Sequence, residues 1–157
     1  MATVQLDETD KALLTIVQDE LPLTVRPFDE LAEKLDITYE ETMERVQRLH
    51  GEGVIRRFGP VLETDRVGLS ARTLVLMKVP QERMDEVAGI ISGFDSVTHN
   101  YERSHEYNMW FTLITSSQDQ LRYSLNEILE ATQIPETDVL DLPVTRRYKI
   151  RVRYSFR

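Results

Sequence analysis

The chain has 157 residues, 41% of them apolar and 29% charged, and a formal net charge of −8, a composition that folds rather than stays disordered. It contains no cysteine and only three histidines, which excludes disulfides, thiolate metal sites, iron–sulfur clusters and cysteine nucleophiles and argues against a three-histidine zinc site. The longest purely apolar run, Leu74 to Met77, falls far short of the ~20 residues of a spanning helix; with no basic or apolar leader in the first residues, the expectation is no signal peptide, no membrane contact and a cytoplasmic protein.

Three short helices are predicted first. Asp7 is suited to an N-cap, with Asp10 in the first turn, and Leu13, Ile16, Val17 and Leu21 then form one face until Pro22 stops the helix. Pro27 opens a second helix carrying Phe28, Leu31, Ala32 and Leu35 on one side. Thr38 and Glu41 have the spacing of a capping box for a third, which buries Met43, Val46 and Leu49 and ends near Gly51. The link Asp36-Ile37 is short enough for a helix-turn-helix. Val54 to Phe58, Gly59-Pro60 and Val61-Leu62 then read as a small β-hairpin, a wing.

The rhythm changes beyond residue 66. Thr73 to Val79 is a β-rich run ended by Pro80, and Met84, Val87, Ala88 and Ile91 are a helical stripe. Val97 to Arg103 and Met109 to Thr115 are two strands around a polar turn. Leu121, Leu125, Ile128, Leu129 and Thr132 form a last helical stripe, and Val144 to Phe156 a final strand. This β-α-β-β-α-β order predicts an α+β fold: a winged helix-turn-helix over 1–66 and a ferredoxin-like domain over 67–157. Helices then cover one sheet face only, so the other face needs a partner or ligand, and a dimer is expected.

Charge is unevenly spread. Residues 1–70 hold 8 Lys/Arg against 15 Asp/Glu, whereas the last twelve residues carry six cations and no acid. A DNA reader brings the first residues of its recognition helix to the base edges. Here those are Tyr39, Glu40 and Glu41, with Glu44 one turn on, which oppose phosphate charge and which Arg45 and Arg48 offset only in part. No specific DNA binding is expected. Arg56 and Arg57 are either ordinary wing residues or cations reaching toward an anionic ligand.

His99, Tyr101 and Arg103 alternate along one strand and share a face, and His105 follows in the turn. A strand histidine is ordinarily structural and a turn histidine ordinarily solvated. Two of three histidines within seven residues, beside Asn108 and Trp110, point instead to a site. Spacing alone leaves both readings open. His50, in the last turn of the third helix, reads as structural. Trp110 and Phe111 face opposite ways, one under the helices and the other free to stack on a planar ligand. Cations in the last strand fit either edge protection or a rail for a polycarboxylate.

Leu-Asp-x-x-Asp at 6–10 and Gly-Val-Ile-x-Arg at 53–57, on this architecture, resemble the Lrp/AsnC transcription regulators. A narrower resemblance rests on Val-Thr-His-Asn-Tyr-Glu-Arg-Ser-His-Glu-Tyr-Asn-Met-Trp-Phe-Thr-Leu at 97–113 and Leu-Pro-Val-Thr-Arg-Arg-Tyr-Lys-Ile at 142–150. These strings are similar to the siroheme decarboxylase family. That resemblance implies loss of CO2 from the C12 and C18 acetate side chains of siroheme, giving 12,18-didecarboxysiroheme on the alternative haem or haem d1 route. It also implies a heterodimer of homologous subunits and a histidine-lined tetrapyrrole pocket. On this reading His105 and His99 supply the proton, Tyr101 and Arg103 orient the acetate, and Arg146, Arg147, Lys149, Asn108, Trp110, Arg56 and Arg57 bind substrate. The substrate iron is met by His99 or His105, if by either, and no cofactor beyond the iron tetrapyrrole itself is expected. An Lrp/AsnC-type regulator and a non-catalytic tetrapyrrole-binding partner subunit are the alternatives.

Overall fold

The structure, a computed structural model, describes residues 3–19, 21–146, 148 and 153–156. It divides into two compact units, Met1–Pro60 with Lys149–Arg157, and Val61–Tyr148.

The first unit is built on α1 (Glu8–Val17), α2 (Pro27–Leu35) and α3 (Tyr39–Gly51). A reciprocal capping box forms, but on α1: the Asp7 carboxylate accepts the Asp10 N–H at 2.7 Å and Asp10 accepts the Asp7 N–H at 3.2 Å. On α3 only the forward half is present, from the Glu41 N–H to the Thr38 hydroxyl at 3.1 Å. Helix α1 ends at Val17, short of the predicted Leu21, which still packs against the core from beyond the helix. Asp36 adopts the left-handed conformation, φ 54°, which lets the Ile37 N–H reach the Ala32 carbonyl at 3.1 Å and turns the chain into α3. Leu13, Leu14, Leu31, Val46, Leu49 and Ile55 are the buried core. The predicted wing does not form: residues 54–62 hold no strand. Its second arm, Val61-Leu62, is exposed and falls in the other unit, and Pro60, with its φ fixed at about −65°, cannot take the positive φ that a type I′ hairpin turn needs there.

The second unit runs β1 (Ala71–Met77), α4 (Met84–Ser92), β2 (Val97–Glu102), β3 (Met109–Thr115), α5 (Gln118–Thr132) and β4 (Val139–Pro143). All pairings are antiparallel, in the order β2-β3-β1-β4. This is the ferredoxin-like arrangement that the sequence predicts. Val75, Met77, Phe111 and Leu113 point from the sheet into a core with Val87 and Ile91 of α4 and Leu125 and Ile128 of α5. Strand β3 alternates strictly, so Trp110, Thr112 and Ile114 face away from the helices.

One predicted strand is misplaced. Among the described residues the last strand is Val139–Pro143, ahead of the predicted 144–156. It is an edge strand, where a terminal proline is tolerated, and its Asp141 takes a hydrogen bond from the Thr73 hydroxyl on β1. Residues 144–146 and 148 carry no strand, and Arg147, Lys149, Ile150, Arg151 and Val152 lie outside the described residues. Residues 153–156 belong to the first unit. There the Gln18 side-chain amide donates to the Tyr154 carbonyl at 2.9 Å and accepts its N–H at 2.8 Å, and Arg153 pairs with Asp19 at 3.0 Å.

Candidate active site

The uncovered sheet face gathers the predicted site residues. Register places Trp110 between Tyr101 and Leu76, and Thr112 between His99 and Leu74. The His99 and Tyr101 rings stack at 6.0 Å. Arg103 sits over Tyr101 at 5.2 Å and over Trp110 at 6.0 Å, and the His105 ring meets the Trp110 edge at 6.4 Å. A chain of ring and guanidinium contacts thus links both histidines. Phe111, the other half of the Trp-Phe pair, is fully buried under the helices. Trp110 is therefore the aromatic available for stacking.

A β-bulge between Val97 and His99 sets Thr98 and His99 together against Thr112. The two threonine hydroxyls lie 2.7 Å apart, and His99 Nδ1 is 3.2 Å from Thr98 Oγ1 and 3.4 Å from Thr112 Oγ1. Strict alternation from the sequence gives no sign of this trio, because a bulge interrupts the period.

His105 stands in a tightly bonded turn. The Arg103 N–H donates to the Asn108 carbonyl at 2.7 Å, the His105 N–H to the Arg103 carbonyl at 2.9 Å, and the Tyr107 N–H to His105 Nδ1 at 3.1 Å. Trp110 Nε1 donates to the Tyr107 carbonyl at 2.6 Å. Lys78, which the sequence analysis did not single out, pairs with Glu106 and lies 4.8 Å from the Tyr107 ring centroid. That hydrogen bond holds the Glu106 carboxyl below its ordinary range and raises Lys78 above its own. An open depression of about 500 Å³ adjoins the turn, lined by Arg103, Ser104, His105 and Asn108 with Gln81 and Glu102.

The other predicted residues are placed differently. Asn108 spends its amide on the Val79 backbone, accepting the N–H and donating to the carbonyl, both at 2.8 Å; it anchors the turn. Arg146 lies at the far end of the sheet, just past the Val144 N–H to Arg72 carbonyl bond of 3.2 Å. The His105 turn adjoins the Met77 end, a strand length of ~20 Å away at ~3.3 Å per residue. Arg146 there stacks on Tyr148 at 5.0 Å. Arg147 and Lys149 lie outside the described residues. Arg56 and Arg57 are exposed and belong to the first unit. Among the described residues, no group of three or more His, Asp or Glu is arranged to hold a metal ion, and no helix is long and apolar enough to cross a membrane.

In the first unit, the two central cations of α3 are already engaged. Arg45 binds Asp7 at 2.7 Å, Asp10 at 2.9 Å and Glu41 at 2.8 Å, and Arg48 binds Asp10 at 2.6 Å and Glu52 at 3.2 Å. Asp10 is only 2% exposed, so it bridges the two guanidiniums from inside. These hydrogen bonds, to Asp7 first and then Glu41, raise Arg45 above its ordinary value. The network fastens α1 to α3 and leaves Glu40 and Glu44 at the helix surface.

A helix-turn-helix unit joined to a one-sided ferredoxin-like sheet defines the AsnC-like class. The family profile described as AsnC-like ligand binding domain matches residues 66–149, and that described as siroheme decarboxylase NirDL-like HTH domain matches residues 10–56. The siroheme decarboxylase alpha subunit of Desulfovibrio desulfuricans is 39% identical over 98% of this chain and 86% of its own. The siroheme decarboxylase NirD subunit of Pseudomonas aeruginosa is 38% identical over 95% of this chain and 96% of its own. The crystal structure of siroheme decarboxylase NirDL in co-complex with an iron-uroporphyrin III analogue is 29% identical, with a TM-score of 0.67 over 95% of this chain and 48% of that one. The chain belongs to the siroheme decarboxylase family.

Proposed function

We propose that this chain is a subunit of a siroheme decarboxylase, a carboxy-lyase that converts siroheme to 12,18-didecarboxysiroheme in alternative haem or haem d1 biosynthesis. The observation that carries the reading is the linked His99–Tyr101–Arg103–Trp110–His105 cluster on the uncovered sheet face. It sits in a chain whose relatives are named as subunits of that enzyme. Those names also support a partner, which we take to be a homologous subunit in a heterodimer.

The chemistry follows from the residues. Breaking the bond between the acetate methylene and its carboxylate releases CO2 and leaves an electron pair on the methylene carbon. The conjugated macrocycle absorbs that pair, so no separate organic cofactor is called for. Arg103 and Tyr101 fix the reacting carboxylate by charge-assisted hydrogen bonds, and Trp110 offers a face for the ring. A histidine delivers the proton that turns methylene into methyl. Covering this face by substrate and partner excludes water, which favours loss of the carboxylate charge. The iron belongs to the substrate. Arg146 is assigned a more distant carboxylate, at the other end of the sheet.

A regulator reading fares poorly on one observation: Arg45 and Arg48 are held by carboxylates of α1 and α3 and do not face outward as free cations. Phosphate neutralisation supplies most non-specific DNA affinity, so we expect no specific duplex binding. A gel-shift titration should show no sequence-specific complex; a complex with a steep salt dependence would falsify this and revive the regulator. The test of the enzyme reading is anaerobic incubation of the chain with siroheme, alone and with its partner. Loss of CO2 supports catalysis, and tight binding without loss supports a non-catalytic subunit.

A further inference from the structure

The two histidines of the cluster are held by opposite kinds of hydrogen-bond partner. At His105, Nδ1 faces the Tyr107 backbone N–H at 3.1 Å. A backbone amide only donates, so Nδ1 must accept, and the ring proton then resides on Nε2. An imidazolium carries a proton on both nitrogens and would set two donors against each other there. The turn gives little freedom to relieve that conflict. Asn108 clamps it to both polar groups of Val79, and Lys78 holds Glu106 and stacks on Tyr107.

At His99, Nδ1 faces the Thr98 and Thr112 hydroxyls at 3.2 and 3.4 Å. A hydroxyl accepts as well as it donates. His99 Nδ1–H can donate to Thr98 Oγ1, whose own proton passes to Thr112 Oγ1 at 2.7 Å. Both nitrogens of His99 can thus carry protons without conflict. The charged groups near the pair are Arg103, over the Tyr101 and Trp110 rings, the Glu106–Lys78 pair beside His105, and Glu102, which lines the same depression as His105.

We infer that His99 is the proton donor, with Thr98 and Thr112 as positioning residues that accept its Nδ1–H, and that His105, whose Nδ1 accepts the Tyr107 N–H, offers Nε2–H as a hydrogen bond to a substrate carboxylate. In the step, the methylene–carboxylate bond breaks and its electron pair enters the macrocycle. The methylene carbon then takes the Nε2 proton of the His99 imidazolium, leaving neutral His99 to be reprotonated by solvent. This inference rests on the decarboxylase reading.

Glutamine separates the two roles, because its amide N–H mimics a neutral Nε2–H donor but supplies no proton. In single turnover of siroheme by the full chain with its partner subunit, His99→Gln should lose about 10²–10⁴ in rate. His105→Gln and His105→Ala should chiefly weaken siroheme binding, and at saturating siroheme neither should approach the loss of His99→Gln. Thr112→Val should slow the step roughly tenfold with KM unchanged, and Thr112→Ser should restore it. A His99→Gln variant at parental rate, or a His105→Gln variant as slow as His99→Gln, overturns the assignment. Nitrogen-15 spectra of the histidine rings in the full chain supply an arm that needs no turnover. A proton on His105 Nε2 alone supports the inference, and a proton on His105 Nδ1 overturns it. If the parental complex fails to decarboxylate siroheme while the ring spectra agree, the decarboxylase reading fails and the hydrogen-bond assignment stands.

Discussion

Arg103 is the residue on which the cluster turns. It follows β2, reaches back over Tyr101 and Trp110, and lines the depression beside His105. Its ring contacts supply about 0.5–1 kcal/mol at an exposed site, whereas a charge-assisted bond to a substrate carboxylate supplies about 1.5–3 kcal/mol. Arg103→Ala should therefore weaken siroheme binding roughly 10- to 100-fold while leaving the chain folded, as read by visible-absorption titration and circular dichroism. Arg103→Lys should recover only part, since an ammonium lacks the planar fork. Most of this cluster was legible in the sequence, because His99, Tyr101 and Arg103 alternate and Trp110 alternates with Phe111. Thr98 and Thr112 were not, because a bulge has no signature in a period-two pattern. Lys78 was not, because its contact with the turn joins residues far apart in sequence. Asn108 was legible as part of the segment but not in its role, since a side-chain amide bonded to backbone looks the same in sequence as one that meets a ligand.

In the first unit one buried carboxylate joins the apolar packing in holding the helices together. Asp10 lies between Arg45 and Arg48 with its carboxylate shared by both. Breaking a fully buried pair costs ~3–5 kcal/mol; here water reaches the outer edges of both arginines, so Asp10→Asn should cost about 2–3 kcal/mol in chemical denaturation. Asp7 adds a pH dependence. Its bond from the Asp10 N–H, and then Arg45, lower its pKa from 3.8. The associated stability is complete above the unfolded carboxylate value and lost as pH falls through the lower folded one. Acid unfolding of this unit should begin below about pH 4 and move to higher pH in Asp7→Asn, as followed by circular dichroism. Sequence periodicity located the five α-helices of the described residues. It misplaced the wing and the last strand for the same reason: apolar alternation marks residues able to form a strand, while pairing decides which do. Residues 139–143 do pair, with β1, where the Thr73 hydroxyl donates to the Asp141 carboxylate.

The uncovered sheet face gives the protein its need for a partner. Leu140 and Leu142 on β4 are 39% and 46% exposed, beside Leu74 and Leu76 of β1 in register. We expect the homologous subunit to cover them. Leu142→Asp should lower association with that subunit by at least tenfold in sedimentation velocity, with the fold intact. A stable monomer for the parental chain in the partner's presence would count against the assembly.

Whether this chain takes part in removing CO2 from siroheme is decided by one measurement. Purified chain, mixed with siroheme under strict exclusion of oxygen with and without its homologous partner, is followed by mass spectrometry of the extracted tetrapyrrole. A product lighter than siroheme by two CO2 is expected from the assembled complex, and none when Arg103→Ala and His99→Gln are combined in this chain. Siroheme recovered at its original mass from the parental complex, or the product formed at parental rate by the doubly substituted chain, would contradict that role.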